Sequence, residues 1–86
     1  MSGFRSRPLP QSALPLMFAT PDRPHQVVEV RGGRGMRRHL TDMGFVPGAT
    51  VTVTAGHGGS LIVKLLDSRI VLGRGMAQRV MVRPLL

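Results

Sequence analysis

The chain has 86 residues, a formal net charge of +8 and no cysteine. This length fits one small domain with a modest core and leaves little room for an enclosed catalytic cleft. The lack of cysteine excludes a disulfide framework and thiolate metal sites and fits a reducing, cytoplasmic compartment. No apolar run in the sequence is long enough to cross a bilayer.

Residues 1–24 are predicted to form a proline-rich tail and entry segment, because four prolines fall between Pro8 and Pro21. The apolar run Leu16-Met-Phe18 within this segment is expected to cover an edge of the core. A basic start followed by a short apolar run resembles a secretion signal, but Pro15 interrupts the run and no small-x-small cleavage site follows it. We therefore assign the folded domain to residues 25–86.

One short amphipathic helix is predicted over residues 36–43, where Met36, Leu40 and Met43 recur at helical spacing. Gly44 can supply the left-handed residue that ends a helix in a Schellman motif, and Phe45 then falls where an apolar side chain packs back on Leu40. We expect Leu40, Gly44 and Phe45 to be structural residues.

A strand should begin directly after Pro47-Gly48, because these two residues fit the central positions of a type II turn and are also expected to be structural. Residues 50–55 then alternate as a half-buried strand does. Five short strands are predicted in all, at residues 27–30, 50–55, 61–65, 69–72 and 79–83, with a short helical turn within 73–78. Such a mainly β chain fits a small five-stranded barrel, which hides its strand edges by closure.

Several of these residues also carry a family resemblance. They are the strand Val28–Val30, the helix end Leu40-Thr-Asp-Met-Gly44, Pro47-Gly48, the strand Val51–Val53, the Gly58-Gly59 loop, Ile70–Leu72, and Ala77 before Val80–Val82. With this spacing, residues 27–82 resemble a FeoA domain, a module that also resembles the C-terminal domains of some metal-dependent repressors. Ser60 and Asp67 depart from it, because the family usually has proline after the Gly-Gly pair and glycine in the next turn.

The resemblance implies an SH3-like barrel with one short helix after the first strand and a helical turn before the last. It also implies a small cytoplasmic accessory protein of bacterial ferrous iron uptake. Such a protein regulates or assembles a FeoB-type membrane transporter through protein contact, and its partner can hold it at the inner face of the membrane. Expected partners are the cytoplasmic part of that transporter and, weakly, further copies of the chain.

The charge balance leaves two alternatives open. Twelve basic residues against four carboxylates indicate an acidic partner, which includes nucleic acid, an anionic membrane surface and an acidic protein. The charges are scattered, and without tyrosine or tryptophan base stacking would depend on three phenylalanines, which disfavours nucleic acid. A basic nucleic-acid-associated barrel and a free-standing regulatory domain, like those of metal-dependent repressors, are the alternatives.

No cofactor, metal site or catalytic residue is predicted. His25, His39 and His57 lack a partner histidine or carboxylate pair at ligand spacing, although His39 lies three residues before Asp42. No serine lies in a nucleophile elbow, and the four carboxylates are dispersed. We therefore expect the protein not to be an enzyme.

A docking surface is predicted instead. If the odd-numbered residues of the strand at 61–65 point inward, Ile62, Lys64 and Leu66 point outward. Together with the helix residues Arg37 and Arg38, they form a surface with both apolar and cationic groups. The alternative is that the protein's own N-terminal segment covers Ile62 and Leu66.

Overall fold

A computed structural model describes residues 13–85, apart from the side chain of His57. Half of the predicted tail and entry segment, residues 1–12, and Leu86 lie outside the described residues. In chain order the elements are β1 (Leu14–Pro15), a 3-10 helix (Leu16–Phe18), β2 (Pro24–Val30), α1 (Arg34–Met43), β3 (Thr50–His57), β4 (Ser60–Leu65), β5 (Ser68–Gly73), α2 (Arg74–Ala77) and β6 (Val80–Pro84).

The strands form one antiparallel sheet in the order β1-β6-β2-β3-β4-β5. The predicted mainly β, SH3-like class is confirmed, with a helix between β2 and β3 and a helical turn before β6. The sheet has six described strands where we expected five, and among them β1 and β5 do not pair with each other, so the expected hiding of the strand edges by closure is not found. The additional strand is β1, which pairs with β6 through Leu14 opposite Val82 and Pro15 opposite Met81.

The segment before β2 contributes buried side chains to the core, although its prolines are typical of a tail. Leu16 is completely buried and Ala19 is almost so, and both belong to the main apolar cluster. Residues 14–19, which were expected to belong to the entry segment, therefore contribute a strand pairing and core contacts. Two strand residues are too few to show the period-two pattern by which strands are recognised.

The first long strand also begins earlier than expected, at Pro24 instead of residue 27. His25, expected in a loop, lies opposite Val51 on one side and Pro84 on the other. It is 2% exposed, and its Nδ1 donates a hydrogen bond to the Arg23 carbonyl over 2.8 Å. The central strand position accounts for the burial of His25, and this bond satisfies one of its ring nitrogens.

The end of α1 has the geometry of a Schellman motif. Gly44 has φ 111°, its N–H donates to the carbonyl of Thr41 over 2.9 Å, and the N–H of Phe45 donates to the carbonyl of Leu40 over 3.1 Å. Leu40 and Phe45 are completely buried in the same cluster. The helix therefore stops where its last apolar residues join the core.

A tight turn then returns the chain to the sheet. The N–H of Ala49 donates to the carbonyl of Val46 over 2.9 Å, and Gly48 has φ 95°, as a type II turn with Pro47 and Gly48 at its centre requires. The N–H of Gly48 also donates to the carbonyl of Val27. The turn is thereby attached to β2 just before β3 begins.

Strand register identifies the two ends of the barrel. Val51, near the start of β3, is opposite Leu65 at the end of β4, and Leu65 lies against Gly44 at the end of α1. The β4–β5 turn and the C-terminal end of α1 therefore share one end. The β3–β4 hairpin occupies the other, where the N–H of Arg74 donates to the carbonyl of Gly59 over 2.7 Å.

Candidate docking surface

The outer face of β4 carries two of the predicted surface residues. Val63 and Leu65 are buried in the apolar cluster, so the side chains between them alternate outward. Lys64 is exposed, and Ile62 is half-buried. The structure thus places Ile62 and Lys64 on the side of the sheet opposite the core.

Leu66 follows directly in the two-residue turn that joins β4 to β5. It is 74% exposed and has φ 58°, a left-handed conformation that L-residues adopt at a cost of about 1–2 kcal/mol. Within the described residues no part of the chain covers this side chain enough to bury it. Both the exposure and the conformation are unfavourable for folding.

Two further residues of this face were missed in the sequence. In β5, Val71 lies opposite Ile62 and Arg69 lies opposite Lys64. Val71 is 66% exposed, and Arg69 is also exposed. The signal was available, since period-two alternation with Leu72 buried puts residues 69 and 71 on the outer face.

The helix arginines lie elsewhere. Arg37 lines a groove of about 330 Å³ between α1 and β2, together with Glu29, Val30, Thr41, Phe45 and Pro47. Arg38 is exposed on α1. Because β3 lies between β2 and β4 in the sheet, Ile62 and Lys64 do not line this groove. Of the three predicted docking residues 62, 64 and 66, Leu66 alone lies at the same end of the barrel as the C-terminal end of α1, because it lies in the β4–β5 turn.

The predicted cationic residues have no acidic neighbour in ion-pair distance among the described residues. In that part of the chain the only ion pair joins Arg31 to Glu29, with 2.6 Å between Nε and Oε2, and both side chains are half exposed or more. Lys64 and Arg69, by contrast, face each other across the β4–β5 pair with like charges, which is destabilising. These positive charges remain available to an acidic partner.

Metal ligands do not converge in the described part of the chain. With the His57 side chain left aside, no three histidine or carboxylate side chains in residues 13–85 are grouped closely enough to hold an ion. His39 is exposed on α1, and His25 is buried in β2. The methionines of α1, Met36 and Met43, are half-buried and pack against the apolar cluster, which is a core-filling role.

A second groove, of about 200 Å³, lies at the opposite end of the barrel from α1. Its lining is mostly backbone and apolar and consists of Met17, Gly56, Gly58, Gly59, Ser60, Leu61 and Arg74. It contains one charged side chain and no carboxylate. Such a lining provides neither an acid–base pair nor a ligand set.

Comparison with known families decides the identity of the fold. Residues 14–84, which include β1 and the 3-10 helix, match the family model described as FeoA domain. The chain belongs to the FeoA domain family. A relative of this FeoA domain, named Fe(2+) transport protein A, comes from Methanocaldococcus jannaschii and is 32% identical over 68 residues, which cover 79% of this chain and 83% of the relative.

Solved structures extend the comparison. A crystal structure of an iron uptake regulatory protein (FeoA) is 38% identical, with a TM-score of 0.78, over 85% of this FeoA domain and 99% of that protein. A FeoA-like protein from Clostridium acetobutylicum superposes with the same TM-score at 21% identity, over 87% of this chain and 90% of that one. A manganese-dependent transcriptional repressor reaches 0.77 at 21% identity, over 85% of this chain but 42% of the repressor.

The last two likenesses show the fold alone. The family itself is a small accessory domain linked to ferrous iron transport. Within residues 13–85, this FeoA domain has no helix that is both long and apolar enough to span a membrane.

Proposed function

We propose that this FeoA domain is a cytoplasmic accessory protein of ferrous iron uptake that docks on the cytoplasmic part of a FeoB-type transporter and regulates or assembles it. It acts by protein contact and performs no chemistry of its own. The docking surface consists of Leu66, Ile62 and Lys64, with Arg37 and Arg38 on α1 steering the approach.

The observation that carries this proposal is the state of Leu66. A large apolar side chain is held in solvent, in a backbone conformation that favours glycine, at the tip of a hairpin. Burying such a side chain against a partner contributes about 1.5–3 kcal/mol to binding. A binding role supplies a reason for both unfavourable features.

Charge supports the same proposal. The formal net charge is +8, and Arg37, Arg38 and Lys64 have no ion pair within the described chain. Exposed cations of this kind accelerate association with an acidic surface more than they strengthen the final complex. We therefore expect the arginines to contribute mainly to the association rate and Leu66 mainly to the dissociation rate.

The test is binding of the purified chain to the cytoplasmic part of the FeoB-type transporter from the same organism, measured at low and moderate salt. Leu66→Asp should weaken binding at least tenfold at both salt concentrations. The double variant Arg37→Glu, Arg38→Glu should slow association at low salt and lose much of this effect at moderate salt.

Phe18→Asp is the matched control for Leu66→Asp, because Phe18 is also a large exposed apolar residue, at 67%, but lies in the N-terminal 3-10 helix. Circular dichroism checks that each variant is folded. If the folded Leu66 and arginine variants bind the transporter as well as the wild type, this surface is not the docking site. Salt-sensitive binding to random DNA with no transporter binding would instead favour the nucleic-acid alternative.

A further inference from the structure

The strand β5 is an open edge of the sheet. Within residues 13–85 it pairs with β4 alone, and the other backbone hydrogen bonds of turns and loops in that part of the chain do not reach residues 68–73. The opposite edge, β1, is two residues long and contains Pro15, which cannot donate to a neighbouring strand. Of the two edges, β5 is therefore the one with a row of N–H and C=O groups able to accept another strand.

The outer face beside this edge has a defined pattern. Ile62 and Val71 form an apolar cross-strand pair, and Lys64 and Arg69 form a cationic pair next to it. Directly opposite side chains in an antiparallel pair lie about 4.5–5.5 Å apart between Cβ atoms, so the two positive charges repel each other. One carboxylate placed beside Arg69 would relieve that repulsion.

The inner face adds a third feature. Ile70 points toward the core but remains half-buried, because no strand lies beyond β5 among the described residues. An added strand would cover it. Three consecutive residues of β5 therefore present a cation on the outer face (Arg69), an apolar side chain on the inner face (Ile70) and an apolar side chain on the outer face (Val71).

We propose that β5 binds an extended acidic segment of the transporter's cytoplasmic part as a seventh strand, by β-augmentation. In that segment an acidic residue beside Arg69 and an apolar residue beside Val71 are two positions apart, and the residue between them is apolar and covers Ile70. The identity of the partner rests on the proposed function, whereas the chemistry of the bound strand rests on β5 itself.

A second copy of this chain is a poorer occupant. Each copy has a formal net charge of +8, and pairing two β5 edges would bring two Lys64–Arg69 pairs close together. The charge pattern selects an acidic strand and opposes self-pairing. Charged residues on edge strands protect natural sheets in the same way.

Amide hydrogen exchange on the intact chain tests the proposal, with and without the transporter's cytoplasmic part. A parallel titration uses a peptide with the central run Val-Val-Glu-Val-Val, which places valines on both sides of the glutamate in either strand direction, against the same peptide with lysine in place of glutamate. We expect alternate amides of residues 68–73 to exchange at least tenfold more slowly with the transporter part and with the glutamate peptide. The lysine peptide should have no such effect.

Arg69→Glu and Val71→Thr should each weaken binding of the glutamate peptide at least fivefold. Arg83→Glu is the matched control, since it makes the same charge change at an exposed position of β6, with three strands between it and β5. It should change binding less than twofold. Threonine keeps the strand propensity of valine, so the Val71 variant is expected to stay folded.

The outcomes separate the two proposals. Transporter binding that leaves the β5 amides unprotected overturns the β5 proposal and leaves the proposed function standing. Protection of β5 by the glutamate peptide without transporter binding supports the edge chemistry and overturns the proposed function. β5 amides already protected in a dimer of the free protein overturn the β5 proposal in favour of self-pairing.

Discussion

The side chain of Leu65 packs against the backbone of Gly44, so that a Cβ placed on Gly44 would lie 3.0 Å from Cδ2 of Leu65. This contact joins the end of α1 to the end of β4. Gly44 is thus restricted twice, by its φ of 111° and by the space that Leu65 occupies.

Gly44→Ala should lower the free energy of unfolding by about 2 kcal/mol or more, because it combines a positive φ with a steric conflict. Gly48→Ala isolates the first effect, since Gly48 has φ 95° but no atom within 4 Å of its Cβ position. It should cost about 1 kcal/mol. Urea denaturation measures both, and equal midpoints for the two variants would contradict the role given to Leu65.

Leu16→Ala should destabilise the protein by about 2–5 kcal/mol, as truncation of a completely buried leucine does. Phe18→Ala, two residues away and 67% exposed, should change stability by less than about 0.5 kcal/mol. Thermal unfolding followed by circular dichroism compares them. If Leu16→Ala melts at the wild-type temperature, the N-terminal segment is not part of the core.

Leu66→Gly should raise stability while it weakens transporter binding. Glycine relieves the left-handed strain of about 1–2 kcal/mol but gains chain entropy in the unfolded state, so we expect a net increase of about 0.5 kcal/mol. Denaturation and transporter binding are measured on the same preparation. A less stable variant would contradict the backbone strain assigned to Leu66. A variant that binds the transporter as the wild type does would refute the binding role of this residue.

The purified chain should hold Fe²⁺ only weakly, with a dissociation constant above about 1 μM, because the described histidines and carboxylates do not converge. Anaerobic isothermal titration of the wild type and of His39→Ala measures this. Stoichiometric submicromolar binding that disappears in His39→Ala would contradict the prediction. That result would mean that the accessory protein binds Fe²⁺ itself, through His39.

Local signals in the sequence were sufficient for the parts of the fold that depend on neighbouring residues. Gly44 with Phe45, and Pro47 with Gly48, have backbone requirements that few other residues meet, so the end of α1 and the start of β3 could be placed from them. Alternation within one strand also put Ile62 and Lys64 on the same face, but it left open whether that face points outward, which the burial of Val63 and Leu65 decides.

The remaining features depend on contacts between distant parts of the chain. β1 is recognisable only once β6 lies beside it, and the burial of His25 follows from Val51 and Pro84 on either side. The register shifts near Val28 and Thr54, where one strand gains a residue, have no sequence signal of their own. For the candidate site, alternation could have placed Arg69 and Val71 on one face of their strand, but their pairing with Lys64 and Ile62 at an open edge depends on the sheet order.

The position of β6 between β1 and β2 also has a kinetic consequence. β3, β4 and β5 are joined by short hairpins and can associate soon after they are synthesised. β1 has no neighbour until residues 80–84 arrive, so its pairing waits for β6, whereas β2, β3, β4 and β5 can pair without it. Contacts between such distant residues raise the contact order, and small β proteins of this kind fold in milliseconds to seconds. The 3-10 helix that carries Leu16 contacts α2 and β6, so during synthesis this apolar side chain lacks these partners until residues 74–84 have been made.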